Sequence, residues 1–227
     1  MGYLIQIKLE ATKIKEEKIV DDFIANIKTD FCNLQKIHKK SGYGCLLTTK
    51  FATLDEINSS EEFRFVLQQM TSLGFKAHDA KNNYMHIVYK TDGNICNSYS
   101  KKVDLFILNN KELCQKIARK DKVFNFNFFE KYFAGLANNH DNIGKAPIIW
   151  SENDAKFVFF RSTLKFETIM ASVEFVKTLF DFADNGFTFE MLFDNIDKAN
   201  YKYIDYMKSN SMYFMDYYYE RFLQNKI

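Results

Sequence analysis

The chain has 227 residues, of which 47% are hydrophobic and 26% are charged, and its formal net charge is +2 at pH 7. These values exclude an intrinsically disordered chain, and the small net charge gives no global reason to expect a nucleic-acid partner. No stretch approaches the roughly 20 apolar residues that cross a bilayer, and no secretory signal is evident, so we expect a cytoplasmic protein without a membrane partner.

The amino-terminal residues predict a strand followed by a long helix. Apolar side chains alternate over residues 3–9, which is typical of a half-buried strand. The period becomes helical over residues 13–38, and Ser41-Gly42 would follow the end of this helix. Its apolar stripe contains Val20, Phe23, Ile27, Phe31 and Leu34.

A second strand and a second helix are predicted next. Residues 43–51 have the composition of a strand, and residues 60–73 have the pattern of a helix. Ser59 or Ser60 would cap the amino terminus of this helix, and Gly74 would end it.

The middle of the chain predicts two strands and then two helices. Residues 84–89 predict a strand, and residues 103–108, which are apolar except for Asp104, predict a second, more deeply buried one. Residues 91–102 would form a turn or short loop between them. Helices are expected at residues 110–119 and 126–136.

A polar segment and a hairpin follow. Residues 137–146 are rich in Asn, Asp and Gly and predict an exposed loop. Residues 148–150 and 156–160 predict a hairpin that is joined by residues 151–154.

The last third of the chain predicts long helices. One begins at Ser162 or Thr163 and carries apolar residues on two faces, which is typical of a central, buried helix. Residues 197–222 are predicted to form one continuous helix, which the Ser209-Asn210-Ser211 sequence could interrupt.

The order of these elements predicts the α+β class. We expect a mixed β-sheet in the amino-terminal half, together with the hairpin, covered by long carboxy-terminal helices rich in aromatic residues. A single domain is expected over residues 1–227, with a soft internal boundary near residues 92–102.

The best position for acid–base chemistry is the polar loop that contains His140 and Asp141. A carboxylate can orient a nearby imidazole so that the imidazole acts as a base near neutral pH. The chain has no phosphate-binding glycine motif, no HExxH and no CxxC pair, so the sequence predicts neither a cofactor nor a metal site. A hydrolase or nuclease that uses this loop is an alternative hypothesis for the function.

A basic segment at residues 101–122 is a candidate nucleic-acid surface. It carries seven basic and three acidic side chains and leads into a run of phenylalanines. Proteins that bind single strands combine positive grooves with aromatic stacking, so nucleic-acid binding is a further alternative. The candidate contacts are Lys101, Lys102, Lys116, Arg119, Lys120 and Lys122.

Tyrosine is concentrated near the carboxy terminus, where seven of the thirteen fall between residues 201 and 219. On a continuous helix, Tyr206, Tyr213 and Tyr217 lie on one flank of the apolar stripe. Tyrosine is favoured at protein interfaces because it combines a large contact area with one polar atom. The alternative is that neighbouring elements bury these side chains.

An acidic segment at residues 181–197, which includes Asp184 and Asp194, would complete the contact surface. The leading hypothesis is therefore a non-enzymatic intracellular protein that docks a protein partner, of the inhibitor, immunity or anti-defence type. A homodimer is the second kind of partner considered. Replacing Tyr213 and Tyr217 with Ala is expected to abolish binding while leaving the thermal midpoint nearly unchanged.

Overall fold

The computed structural model describes residues 1–10, 17–39, 42–77, 83–95, 97–118, 147–186, 188, 196–214 and 216. The described strands are β1 (Gly2–Glu10), β2 (Cys32–Lys39), β3 (Gly42–Thr49), β4 (Tyr84–Lys90), β5 (Ile148–Trp150) and β6 (Asp154–Phe160). The described helices are α1 (Glu17–Asn26), α2 (Leu54–Ser59), α3 (Glu61–Ser72), α4 (Asn97–Asn109), α5 (Lys111–Ala118), α6 (Phe166–Asn185) and α7 (Ile196–Asn210).

The six strands form one sheet in the order β2-β3-β1-β4-β6-β5, which confirms the α+β class. Every neighbouring pair is antiparallel, so the prediction of a mixed sheet is wrong. The physical reason is the placement of the crossovers. β1 and β2 run in the same direction, but they are not neighbours because β3 lies between them. β3 and β4 also run in the same direction, and β1 lies between them. Strands of the same direction are therefore never adjacent.

The elements from β1 to β4 have the βαββαβ connectivity of the split-βαβ, or ferredoxin-like, motif. The β5–β6 hairpin extends this sheet because β6 pairs with β4. One sheet face carries buried residues from adjacent strands, such as Ile5 opposite Ile87 and Ile7 opposite Met85. A fold of this kind does not by itself define a function.

The central helix is α6, which packs against α2, α4, α7 and β4. The prediction of a buried helix with two apolar faces is confirmed, although the helix begins at Phe166 and not at Ser162 or Thr163. Its large buried side chains are Phe166, Ile169, Met170, Val173, Phe175, Val176, Leu179, Phe180 and Phe182.

The predicted helix at residues 13–38 is wrong in its second half. α1 ends at Asn26, and β2 begins at Cys32 and pairs with β3 as far as Lys39 opposite Gly42. Gly42 therefore lies in a strand and does not follow a helix. The apolar spacing predicted a helix that was too long, because Phe31 and Leu34 keep the spacing of the apolar stripe of α1 although they lie beyond the end of this helix.

The predicted strand at residues 103–108 is also wrong, because these residues lie inside α4. Val103, Leu105, Phe106 and Ile107 are all buried, and so is Asp104 between them, so the helix has no exposed polar face over residues 103–107. A short apolar run of this kind cannot be distinguished from a buried strand by its period alone. The second half of the loop predicted at residues 91–102 belongs to the same helix.

Other predicted elements are confirmed. The first strand, the strand before α2, α3, β4, α5 and the β5–β6 hairpin all lie where the pattern predicted them. Ser60 caps α3 by accepting a hydrogen bond from the backbone of Phe63, and Gly74 follows α3 with a φ of 86°. The short helix α2 was not predicted. The helix expected at residues 126–136 and the loop at 137–146 lie outside the described residues.

The single helix predicted at residues 197–222 is interrupted, since α7 ends at Asn210. The side chains of Asn210 and Ser211 each donate to a backbone carbonyl of the preceding turn, at 2.8 Å. Such local hydrogen bonds compete with continuation of a helix. Residues 217–222 lie outside the described part.

Candidate docking cleft

The chain changes direction after α7, and a buried carboxylate holds the segment that follows. Glu174 lies in the middle of α6 and only 4% of it is exposed. Its Oε1 accepts a hydrogen bond from the backbone nitrogen of Met212 at 3.2 Å, and its Oε2 accepts one from Phe214 at 2.6 Å. These N–H groups begin a new helical turn, where an anion is favourable. The carboxylate thus fixes the backbone of residues 212–214.

The side chains of Met212 and Phe214 in this segment differ in their exposure to solvent. Phe214 is fully buried and stacks against Phe175 of α6, with ring centroids 5.6 Å apart. Met212 is 65% exposed, one of the highest values for a large hydrophobic residue in the described chain. A flexible thioether is therefore presented to solvent beside a backbone that donates two hydrogen bonds to Glu174.

Tyr213 lies beside this methionine and joins three elements. Its hydroxyl donates to Oδ1 of Asn58, at the end of α2, at a distance of 2.8 Å. Its ring meets the ring of Phe166 edge-on at 6.2 Å. Arg64 of α3 completes the group because its guanidinium lies 3.5 Å from the Phe166 centroid and donates to the Asn58 carbonyl at 2.9 Å.

A cleft of about 420 Å³ opens next to Tyr213, and we call it the docking cleft. It lies between α2, α6 and the end of α7. Asp55 and Glu174 contribute carboxylates to its wall, and the described residues that line it include no Lys or Arg. The lining residues are Leu54, Asp55, Asn58, Met170, Glu174, Ser209, Asn210, Ser211, Met212 and Tyr213.

A second cleft, of about 490 Å³, lies between α3 and the start of α6. Arg64 and Lys165 line it together with one acid, Glu167, so its described lining carries more positive than negative side chains. Phe166 lines this cleft and Tyr213 lines the docking cleft, so the contact between the two rings lies between the clefts.

No protein-family model matches this chain, and no curated protein matches it at a significant level. The proposed function therefore depends on the geometry of the described residues.

Of the other four residues of the predicted contact surface, the structure describes Tyr206 and Asp184. Tyr206 is half-buried, with its ring 5.3 Å from that of Phe182. Burial raises the pKa of its hydroxyl, and the nearby Asp181 carboxylate raises it further. Asp184 is exposed near the end of α6. Tyr217 and Asp194 lie outside the described residues.

The alternative sites lie mostly outside the described part of the chain. His140, Asp141, Arg119, Lys120 and Lys122 belong to the segment at 119–146, which the structure does not describe. Lys101 is exposed on α4, whereas the Nζ of Lys102 donates to the Ala183 carbonyl at 3.1 Å. The backbone of Lys116 lies in α5.

Two further features are absent from the described residues. They contain no group of three or more His, Cys, Asp or Glu side chains that could hold a metal ion. No helix among them combines the length and the apolar character that crossing a bilayer requires.

Sequence patterns pointed to the tyrosines but missed Glu174, Asn58 and Arg64. A signal existed for Glu174, because a single carboxylate between Val173 and Phe175 on a buried helix requires a partner. No comparable signal existed for Asn58, which lies 155 residues from its partner Tyr213.

Proposed function

We propose that the protein acts by docking a segment of a protein partner in the docking cleft, with Met212 as the exposed anchor. The observation that carries this proposal is the contrast between an exposed methionine and its fixed backbone. Methionine is common at surfaces that bind protein segments because its side chain adapts to the partner. A backbone fixed in advance by Glu174 lowers the entropy that binding would otherwise cost.

The charges of the cleft favour a particular partner chemistry. Asp55 is exposed at the wall, and the part of the lining that the structure describes holds no cation to neutralise it. A complementary segment has an apolar side chain to pack on Met212 and a neighbouring Lys or Arg to face Asp55. Tyr213 supplies a half-exposed ring beside the methionine. Action through docking alone is how inhibitor and immunity proteins work, and this is the class we propose.

A selection of random peptides displayed on phage tests the proposal without requiring that the partner be identified first. The full chain is the bait, and the Met212→Asp variant removes non-specific binders. We expect enriched peptides to share an apolar residue next to Lys or Arg. Their affinity should fall by at least about tenfold with Met212→Asp and again with Asp55→Lys.

Phe65→Ser is the matched control, since Phe65 is 53% exposed on α3 and lines neither cleft. This control should leave the affinity unchanged. The proposal fails if no peptide is enriched, if the peptides lack the basic residue, or if Phe65→Ser weakens binding as much as Met212→Asp does.

A further inference from the structure

The docking cleft and the second cleft share one row of side chains on α6. Phe166 lines the second cleft, whereas Met170 and Glu174 line the docking cleft. These three residues follow one another at intervals of four positions along the helix, so their side chains lie in one row on its surface. The row therefore runs from one cleft into the other.

Contacts between neighbouring elements also join the two clefts. Asn58 of α2 lines the docking cleft and Arg64 of α3 lines the second cleft. The guanidinium of Arg64 donates to the carbonyl of Asn58 at 2.9 Å. The rings of Tyr213 and Phe166, one from each lining, have centroids 6.2 Å apart. The two clefts are therefore neighbouring parts of one surface.

The two clefts carry opposite charges. In the docking cleft, Glu174 already accepts two backbone hydrogen bonds, so Asp55 provides the exposed negative charge of the described lining. In the second cleft, Arg64 and Lys165 outnumber the single acid Glu167. A ligand of one charge sign is attracted by one cleft and repelled by the other. The surface thus favours a ligand that carries both signs at separate places.

Lys165 is the cation of the second cleft that can reach a ligand. It is exposed, it is the N-cap residue of α6, and its side chain makes no capping hydrogen bond. The positive end of the α6 dipole lies beside it and also favours an anion. Arg64, by contrast, is held by its contacts with the Phe166 ring and the Asn58 carbonyl.

Helix geometry gives the distance between the two charged places. Met212 lies level with Glu174, because its backbone nitrogen donates to this carboxylate at 3.2 Å. Lys165 precedes Glu174 by nine positions. This separation corresponds to about 13 Å along α6, since a helix rises by about 1.5 Å per residue. A peptide in an extended conformation covers that distance with about four residues.

We propose that the partner segment runs along α6 from the docking cleft into the second cleft and carries an acidic residue that pairs with Lys165. This inference rests on the proposed function, from which it takes the apolar residue on Met212 and the basic residue that faces Asp55. The acidic residue is about four positions from the apolar one. The partner is then a segment with charges of both signs, which a polyanion such as a nucleic acid does not provide.

The test uses displayed linear peptides that are long enough to span both clefts, with the full chain as the bait. We expect the enriched peptides to contain Asp or Glu about four positions from the apolar residue that depends on Met212. Lys165→Glu should weaken their binding by about threefold to tenfold, as expected for the reversal of one exposed charge. This variant should fold, because Lys165 is exposed and an acid is favourable at a helix amino terminus.

Reversing the charge on both sides tests for direct pairing. A peptide in which Lys replaces the acidic residue should bind Lys165→Glu at least about threefold more tightly than it binds the unmodified chain. Lys101→Glu is the matched control, because Lys101 is exposed on α4, which contributes no residue to the described lining of either cleft. This control should leave the affinity of both peptides unchanged.

The outcomes distinguish this inference from the proposed function. Peptides that depend on Met212 and Asp55 but lack the acidic residue overturn the inference alone, as do peptides that bind Lys165→Glu as tightly as the unmodified chain. If no peptide is enriched, or if Met212→Asp has no effect, both are overturned. A single-stranded oligonucleotide that binds Lys165→Glu more weakly and Asp55→Lys more tightly also overturns the inference, because a polyanion is then the ligand of this surface.

Discussion

The Oε2 atom of Glu174 lies 2.6 Å from the backbone nitrogen of Phe214, a residue 40 positions later in the chain. Because the other oxygen holds Met212, one side chain of α6 satisfies two backbone donors where the chain leaves α7. Hydrogen bonds to an ionised acceptor are stronger than neutral ones, and here they offset the burial of the charge.

Replacing Glu174 with Gln tests this arrangement. The amide can accept one of the two hydrogen bonds, but its NH₂ group would face the other backbone N–H. We expect a loss of about 1–3 kcal/mol in the free energy of unfolding, measured by urea denaturation. Glu167→Gln is the matched control, because Glu167 is exposed on the same helix, and it should change stability by less than about 0.5 kcal/mol. Equal losses in both variants would contradict the bridging role.

Tyr213 should contribute to stability as well as to the surface. Tyr213→Phe removes the hydroxyl that donates to Asn58 and should lower the free energy of unfolding by about 1 kcal/mol. Tyr213→Ala also removes the ring contact with Phe166, so its loss should be clearly larger. Thermal unfolding of both variants measures this order. An unchanged midpoint for Tyr213→Ala would instead support the expectation from sequence that this residue acts in binding alone.

The planar guanidinium of Arg64 should not be replaceable by an ammonium group. Arg64→Lys keeps the charge but loses the flat contact with Phe166 and the geometry of the bond to the Asn58 carbonyl. We expect this variant to lose about 1 kcal/mol in urea denaturation, within the range of cation–π contacts. Lys165→Arg, in the same cleft, serves as the control and should be neutral. A fully stable Arg64→Lys would show that charge alone matters at this position.

Asp104 of α4 is buried, and burial raises its pKa to about 8, which predicts a pH dependence of stability with a definite sign. Between the ordinary pKa of 3.8 and the folded-state value of about 8, the folded chain keeps a proton that the unfolded chain releases. The contribution of this group is therefore complete below pH 3.8 and is lost as the pH rises towards 8, with a slope of at most about 1.4 kcal/mol per pH unit.

The Asp104→Asn variant should lack this slope. Its stability relative to the unmodified chain should increase from about pH 5 to about pH 8, as measured by urea denaturation at each pH. Asp184→Asn provides the control, because Asp184 is exposed and should leave the slope unchanged. Parallel pH profiles for the chain and Asp104→Asn would be inconsistent with a raised pKa at Asp104.

Sequence patterns identified strands and helices correctly where one periodicity of apolar residues dominated a segment. β1 and β4 were recognised from alternating side chains, and α3 was recognised from its apolar stripe with Ser60 before it and Gly74 after it. The patterns failed where burial removes the contrast between faces, as in α4. They also failed at β2, where the apolar stripe of α1 continues across the boundary to Phe31 and Leu34.

The candidate site could be predicted only in part. Tyr206 and Tyr213 were found because tyrosine is unusually frequent near the carboxy terminus. The position of Tyr213 was not, because Glu174, which tertiary packing brings to the segment after α7, holds the backbone of Met212 and Phe214. The hydrogen bond that the indole nitrogen of Trp150 in β5 donates to Asp104 of α4, at 3.1 Å, could not be predicted for the same reason. The distance between this helix and this edge strand is a property of the assembled fold.

The position of β1 has a consequence for how the protein is made. This strand lies between β3 and β4, so it needs partners on both sides, and both are synthesised after it. The second partner is complete only when Lys90 has left the ribosome, and the sheet then still lacks β6. A growing chain consequently carries an apolar strand with an open edge for much of its synthesis. Pairings between distant segments also slow folding, so the nascent chain is most exposed to aggregation before β4 docks.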